Sequence, residues 1–360
     1  MSEKKKHPIL RAILIVFLLI VLVVAGYVAY VFIAYHRLPD NVGLTPTANA
    51  GADGLPAAAA TGKEYSIMTW NMGFGAYSDD YSFFMDGGKY SRAFSKEAAE
   101  GNITAMTEYI KELSPDFVYI QEVDTGSTRS YHIDESEIVN SILTGYSSVF
   151  AQNYDSPYLF YPILCPHGKS VSGILTESKI AIESAVRRSL PIETGLMKLL
   201  DLDRCYSVTR IPVENGKTLC LYNMHLSAYT SDGTIATEQL KMLVEDMTAE
   251  CENGNYIICG GDFNKDLLGN SAEVFGVSLG DVTWAQPIPE GLLPEWLTKV
   301  ACSNAPSCRN ADRPYDETDF VLTIDGFLVS DNIEITGARV EDLKFAHSDH
   351  NPVYMTFKLK

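Results

Sequence analysis

From Ala12 to Tyr35 the chain runs for 24 residues without one charged side chain. At about 1.5 Å of rise per residue, a helix of that length crosses the roughly 30 Å hydrocarbon core of a bilayer. Lys4, Lys5, Lys6 and Arg11 precede the run. This order predicts a basic cytoplasmic tail over 1–11, a single transmembrane helix over 12–35 and the remainder on the outer side of the cell membrane. A cleaved signal peptide has the same charged front, and Ala48-Asn49-Ala50 imitates a cleavage site. Signal peptides carry apolar regions of about 7 to 15 residues, so the longer run reads as a retained anchor.

Residues 36–62 are rich in Pro, Gly, Ala, Asn and Thr and lack a hydrophobic period, the composition of a flexible linker. One catalytic domain is expected over 63–360. Taking the five basic residues and one acid of the first 37 from the totals of 28 and 46 leaves a net charge near −22. Such a surface is not drawn by charge to nucleic acid or to an anionic bilayer, because phosphate-tracking proteins gain most affinity from Lys and Arg. It is compatible with a carboxylate-lined cation site. The seven cysteines are an odd number, and none has zinc-finger spacing. Cys302 and Cys308 lie in a polar loop and are candidates for a disulfide in an extracytoplasmic domain.

The rest reads as many strands with few helices, which predicts two sheets packed face to face and covered by helices. A strand ends at Asn71, and a helical pattern over 96–113 is stopped by Ser114-Pro115. The next strand delivers Gln121-Glu122 at its end. Asn215-Gly216 marks a hairpin whose second strand ends at His225. A helix from about Thr234 to Cys251 leads to a strand that closes on Gly260-Gly261-Asp262-Phe263-Asn264. Strand alternation there would aim Asp262 and Asn264 the same way. Asp325 lies within a later strand, and Asp349-His350 separates the last two.

Six strand-linked positions thus supply only carboxylates, carboxamides and imidazoles, the donor set of a metal-assisted phosphate site. Glu122 and Asp349 suit a hard cation such as Mg2+, which takes oxygen ligands and keeps several waters. His225 and His350 suit phosphate oxygens, with Asp325 as the carboxylate that orients an imidazole.

These motifs, Trp70-Asn71-Met72-Gly73, Gln121-Glu122, Asn223-Met224-His225-Leu226, Gly261-Asp262-Phe263-Asn264, Ile324-Asp325-Gly326-Phe327 and Ser348-Asp349-His350-Asn351-Pro352, resemble in order those of the endonuclease/exonuclease/phosphatase superfamily. The resemblance implies a four-layer α/β/β/α sandwich and Mg2+-dependent phosphoester hydrolysis by in-line attack of water, with Mn2+ as a substitute ion. It also implies that Glu122, Asp349 and Asn71 serve the metal and that Asn71, Asn264 and His350 hold phosphate. Asp262 would orient or deprotonate the water, His225 would assist the leaving side, and His350 paired with Asp325 would stabilise the transition state. Nucleic acid, a phospholipid headgroup and an inositol phosphate all remain open as substrates. The loops at 153–169 and 284–313 match no particular branch and are where substrate choice is expected. An inactive binding module would lack a motif residue, and none is missing. Nothing in the sequence points to a protein partner.

Overall fold

A computed structural model of the chain describes residues 8–195, 198, 202–228, 234–278 and 285–360. Helix α1 (Pro8–Ala34) is long and apolar enough to cross a membrane. Most of the basic tail lies outside the described residues.

Beyond it stand two seven-stranded sheets. The first contains, in spatial order, β1 (Val42–Leu44), β7 (Ser184–Ser189), β8 (Cys205–Pro212), β9 (Thr218–His225), β10 (Tyr256–Asp262), β14 (Asp325–Ser330) and β11 (Leu297–Val300). The second runs β15 (Ile333–Val340), β16 (Val353–Leu359), β3 (Glu64–Asn71), β4 (Phe117–Asp124), β6 (Val171–Ser178), β5 (Ser147–Asp155) and β2 (Thr47–Ala48). A small pair, β12 (Cys308–Arg309) with β13 (Val321–Leu322), lies apart from both.

The central strands β3, β4, β9 and β10 are buried on both faces, and their alternation assigns each face to a different layer. Ile67, Tyr119, Leu221, Ile258 and Phe327 point between the sheets and form the central core. Their neighbours Met68, Trp70, Val118 and Ile120 point outward against Ile103, Met106 and Ile110 of α2 (Lys96–Leu113), with Val139 of α3 (Glu135–Ile142) beside them. On the opposite side Tyr222, Met224, Ile257 and Cys259 meet Leu240, Leu243 and Met247 of α4 (Thr234–Glu252). The result is the expected four-layer sandwich. Helix α2 begins where the Ser95 hydroxyl accepts the Ala98 N–H and ends on a left-handed Ser114. A last helix, α5 (Ser271–Phe275), is a single turn.

Two parallel pairs set the position of the site. β3 pairs in parallel with β4 through α2, and β9 with β10 through α4. A parallel connection needs such a crossover, and it leaves both carboxyl ends at one edge of the sheet. The other strand pairs of the two sheets are antiparallel.

Two expectations are corrected here. The segment 36–62 is not a loose linker: β1 pairs with β7, β2 pairs with β5, and Ala59 bridges to Val213. Buried Asn49 donates to the Leu143 carbonyl at 2.9 Å and to Glu177 at 3.0 Å. The pairing strands are only three and two residues long, too short for a hydrophobic period to register. Cys302 and Cys308 form no disulfide; both are buried thiols, Cys302 in the central core and Cys308 in a smaller cluster.

Candidate active site

The carboxyl ends of the two parallel pairs deliver four of the anticipated residues. Asn71 closes β3, Glu122 lies near the end of β4, His225 closes β9 and Asp262 closes β10. In register, Asp262 stands beside His225 on one side and Asp325 on the other.

Local backbone departures aim these groups. The β4–β6 register shifts between Ile120 and Val123, and Glu122 in that bulge has φ of +57°, a left-handed conformation uncommon outside glycine. The bulge turns its side chain out of the sheet's alternation. Gly261 has φ of +137°, and a Cβ there would lie 1.9 Å from the Met224 carbonyl oxygen. Only glycine lets β10 run against β9 at this point.

Past Asp262 the strand does not continue. Asn264 is left-handed, with φ of +47°, and its N–H donates to Asp262 Oδ1 at 2.9 Å. Alternation therefore does not relate Asp262 to Asn264, as the sequence suggested; an Asx turn does. Asn264 Nδ2 donates to the Leu226 carbonyl at 2.8 Å. Asp325 likewise opens β14 and is not interior to a longer strand, because the chain breaks pairing after Leu322.

Buried Asp262 is the centre of the cluster. Its Oδ2 accepts from Asn71 Nδ2 at 3.0 Å and lies 3.4 Å from His225 Nε2 and 3.7 Å from His350 Nε2. Asn71 Nδ2 also reaches Glu122 Oε1 at 3.3 Å, while its Oδ1 accepts the Gly73 N–H at 3.0 Å. His350 Nδ1 meets Asp325 Oδ2 at 2.8 Å, and that oxygen also accepts from the Ser307 hydroxyl at 2.7 Å. The Ser348 hydroxyl ties this loop to β3, donating to the Asn71 carbonyl at 2.7 Å and accepting the His350 N–H.

Burial separates the titration of these groups. It pushes the Asp262 carboxyl up to about 7, with Asp325 adding to the rise and His350 opposing it. Asp349 is pushed up to about 6 by burial, with His350 and Arg309 opposing and nearby Glu122 adding to the rise. Burial alone would depress His350, but the Asp325 carboxylate overrides it and holds the imidazole well above its usual range. His225 has no such partner; burial, then Arg204 and His350, hold it well below. Its closeness to Asp262 is thus a contact of a neutral imidazole and not an ion pair, and its Nδ1 is buried without a hydrogen bond.

A cavity of about 430 Å³ opens over the cluster. Glu122, His225, Asp262, Asn264, Asp349 and His350 line it; Asn71 and Asp325 stand behind them. Both loops singled out for substrate choice reach its walls, through Tyr154, Leu159, Tyr161 and His167 from one and residues 308–311 from the other. Residue 284 is outside the described residues.

Of the other lining groups, Arg129 carried no sequence signal, His167 reads from the sequence as an ordinary loop histidine, and Arg309 reads as a variable-loop cation, either solvated or facing a phosphate. Arg129 is fixed by a two-pronged contact to Asp124 at 2.8 and 2.9 Å and stacks on Phe74 at 3.9 Å. His167 Nδ1–H donates to the Ser91 carbonyl at 2.8 Å, and burial and Arg129 depress the imidazole to about 4. Arg309 lines the cavity with its guanidinium bound to the carbonyls of Ser78, Tyr81, Asn310 and Arg313. Loop packing brings these groups in, so no motif announces them.

The sequence matches the Endonuclease/Exonuclease/phosphatase family over residues 68–350. The chain belongs to that family. Its members are phosphoesterase hydrolases, generally dependent on a divalent metal. No curated protein matches the chain. Among solved structures, an endonuclease/exonuclease/phosphatase from Beutenbergia cavernae DSM 12333 has a TM-score of 0.58 at 18% identity, covering 82% of this chain and 72% of that one. ANGEL2, a 2′,3′-cyclic phosphatase solved with adenosine-2′,3′-vanadate, has 0.54 at 16%, covering 82% and 96%. An endonuclease/exonuclease/phosphatase from Bacteroides vulgatus has 0.52 at 13%, covering 83% and 100%. At these identities the likeness is one of fold.

The site fits the divalent ion that the family implies. Glu122 and Asp349 share the cavity, the Glu122 carboxylate adds to the rise at Asp349, and neither forms an ion pair with Lys or Arg among the described residues. Two such carboxylates are a hard-cation donor set. Asp262, Asp325 and His350 also converge within 4.8 Å. There the His350 Nδ1 and Asp325 Oδ2 atoms are already joined to each other, which favours a proton relay over an ion site.

Proposed function

We propose that the chain is a membrane-tethered, Mg2+-dependent phosphoesterase that acts by in-line attack of water. The observation that carries this reading is the Asp262 carboxylate, raised toward neutrality and set between the Asn71–Glu122 contact and the Asp325–His350 pair. A base poised near the working pH and an imidazole held protonated are the two opposite proton states that hydrolysis needs.

Glu122 and Asp349, with Asn71 beside them, would hold Mg2+ or Mn2+, which would supply charge neutralisation at the phosphoryl oxygens. Asp262 takes a proton from the attacking water as the new P–O bond forms. Asn264, through its second amide hydrogen, and protonated His350 donate to the phosphoryl oxygens. Asp325 keeps His350 charged. Neutral His225 donates its Nε2 hydrogen toward the leaving oxygen as the ester P–O bond breaks. Helix α1 would anchor the domain, with residues 1–11 on the cytoplasmic side and the catalytic domain outside, consistent with the lysines that precede it.

The test is hydrolysis of bis(p-nitrophenyl) phosphate by the full chain in detergent with Mg2+. Activity should vanish with EDTA and in Glu122→Gln. Hydrolysis unaffected by either would refute the reading.

A further inference from the structure

The outer end of α1 is docked on the catalytic domain beside the cleft. Arg11 marks the inner boundary of the apolar run, and about 20 residues of helix cover a core of roughly 30 Å. Tyr30 therefore lies near the outer boundary and Tyr27 about one turn inside it, in the zone where tyrosines concentrate. Both hydroxyls are bonded to one loop of the catalytic domain. Tyr27 donates to the Tyr158 carbonyl at 3.2 Å and accepts the Phe160 N–H at 3.1 Å, while Tyr30 accepts the Tyr158 N–H at 3.1 Å. The Phe160 ring meets Tyr27 edge-on at 5.4 Å. Just past the helix, Arg37 donates to the Leu190 carbonyl at 3.1 Å and pairs with Asp203. Only seven residues separate the end of α1 at Ala34 from β1 at Val42, so the domain has no long tether on which to stand away from the helix.

That loop has two sides. Leu159 and Tyr161 line the cleft, and the Tyr161 ring stands 5.7 Å from Phe84, another lining residue. On the outside, Phe160 is 56% exposed, Ile163 82% and Leu164 100%. Large apolar side chains left this exposed at the depth of the membrane surface have the bilayer as their natural partner. The surface, near −22 overall, is not held there by charge.

We propose that the substrate is a phospholipid of the bilayer that holds α1, delivered headgroup first across the apolar rim at 158–164 into the cleft. The inference rests on the phosphoesterase reading and names its substrate class. The polar floor with Glu122, Asp262 and Asp349 receives the phosphate. The walls formed by Phe83, Phe84, Leu159 and Tyr161 receive the adjoining apolar part of the molecule. A lipid needs to rise only partly from its leaflet to be engaged, so little hydrocarbon meets water.

The experiment uses the full chain reconstituted in vesicles of phosphatidylcholine and phosphatidylglycerol in equal parts. Cys165, the exposed thiol beside Leu164, takes an environment-sensitive dye. The dye should be quenched by bromine on lipid chains and shielded from iodide. Free iodide access would overturn the proposal. Mg2+ should release water-soluble phosphoester from the vesicles, and Ile163→Asp with Leu164→Asp should cut that release at least about tenfold while bis(p-nitrophenyl) phosphate turnover stays unchanged. Turnover of the soluble diester without release from vesicles, or equal release by the rim variant, would overturn the lipid assignment and leave the phosphoesterase reading standing. Loss of both activities in the native chain would sink the two together.

Discussion

The Asp325–His350 pair offers the sharpest test of the chemistry. Asp325→Asn preserves shape and an acceptor oxygen and removes the charge. At the 2.8 Å separation of Nδ1 and Oδ2, opposite charges in an effective dielectric of about 20 attract by about 6 kcal/mol. Desolvation takes back part of this, and breaking a buried pair costs about 3 to 5 kcal/mol. If that interaction is what keeps His350 protonated in the transition state, kcat should fall between about 10² and 10⁴-fold, at a factor of ten per roughly 1.4 kcal/mol. KM should change little, because Asp325 stands behind His350 and does not line the cavity. The pH profile gives a signature that misfolding would not. Asp325 holds the imidazole well above its usual range, so its loss lets His350 deprotonate earlier, and the alkaline limb should move to lower pH. The acid limb, set by Asp262, should move less, because losing the Asp325 charge lowers that carboxyl while losing the His350 charge raises it. The assay is bis(p-nitrophenyl) phosphate hydrolysis across pH, with thermal unfolding as a control on folding. A kcat within about threefold of the parent, or an unmoved alkaline limb, would refute the relay.

Two further predictions concern stability. Burial raises the Glu177 carboxyl from 4.5 to about 8, so the folded state keeps a proton that the unfolded chain has lost, and stability falls as pH rises between those values. The slope is about 1.4 kcal/mol per pH unit, and Glu177→Gln should flatten it and raise the melting temperature at neutral pH; identical pH slopes in the two proteins would contradict this. Gly261→Ala places a Cβ 1.9 Å from the Met224 carbonyl and should cost more than about 4 kcal/mol, leaving little folded protein on size-exclusion chromatography. A folded variant with the parent's melting temperature would show that β9 and β10 can separate there.

Most of the fold was legible because its central strands are apolar runs buried on both faces and α2 carries a clear stop. The boundaries of α2 were readable from Ser114-Pro115 and those of β10 from its glycines. The site was legible as residue types because chemistry needs them at strand ends. Its geometry was less so: Glu122 and Asn264 are aimed by left-handed backbones that no residue preference announces. Arg129 and His167 reach the cleft only through the packing of loops, and the pairing of 42–48 depends on hydrogen bonds that suit almost any short sequence.

Those two short strands have a practical consequence. β1 and β2 are the terminal strands of the two sheets, each on the open side of a longer neighbour. A soluble fragment starting at residue 63, where the composition changes, would bare the hydrogen-bonding edges of β7 and β5 at once, and unprotected edges invite chains to pair with one another. A fragment starting at Asp40 keeps both edges covered. The stretch that looked like a spacer protects the domain from its own kind.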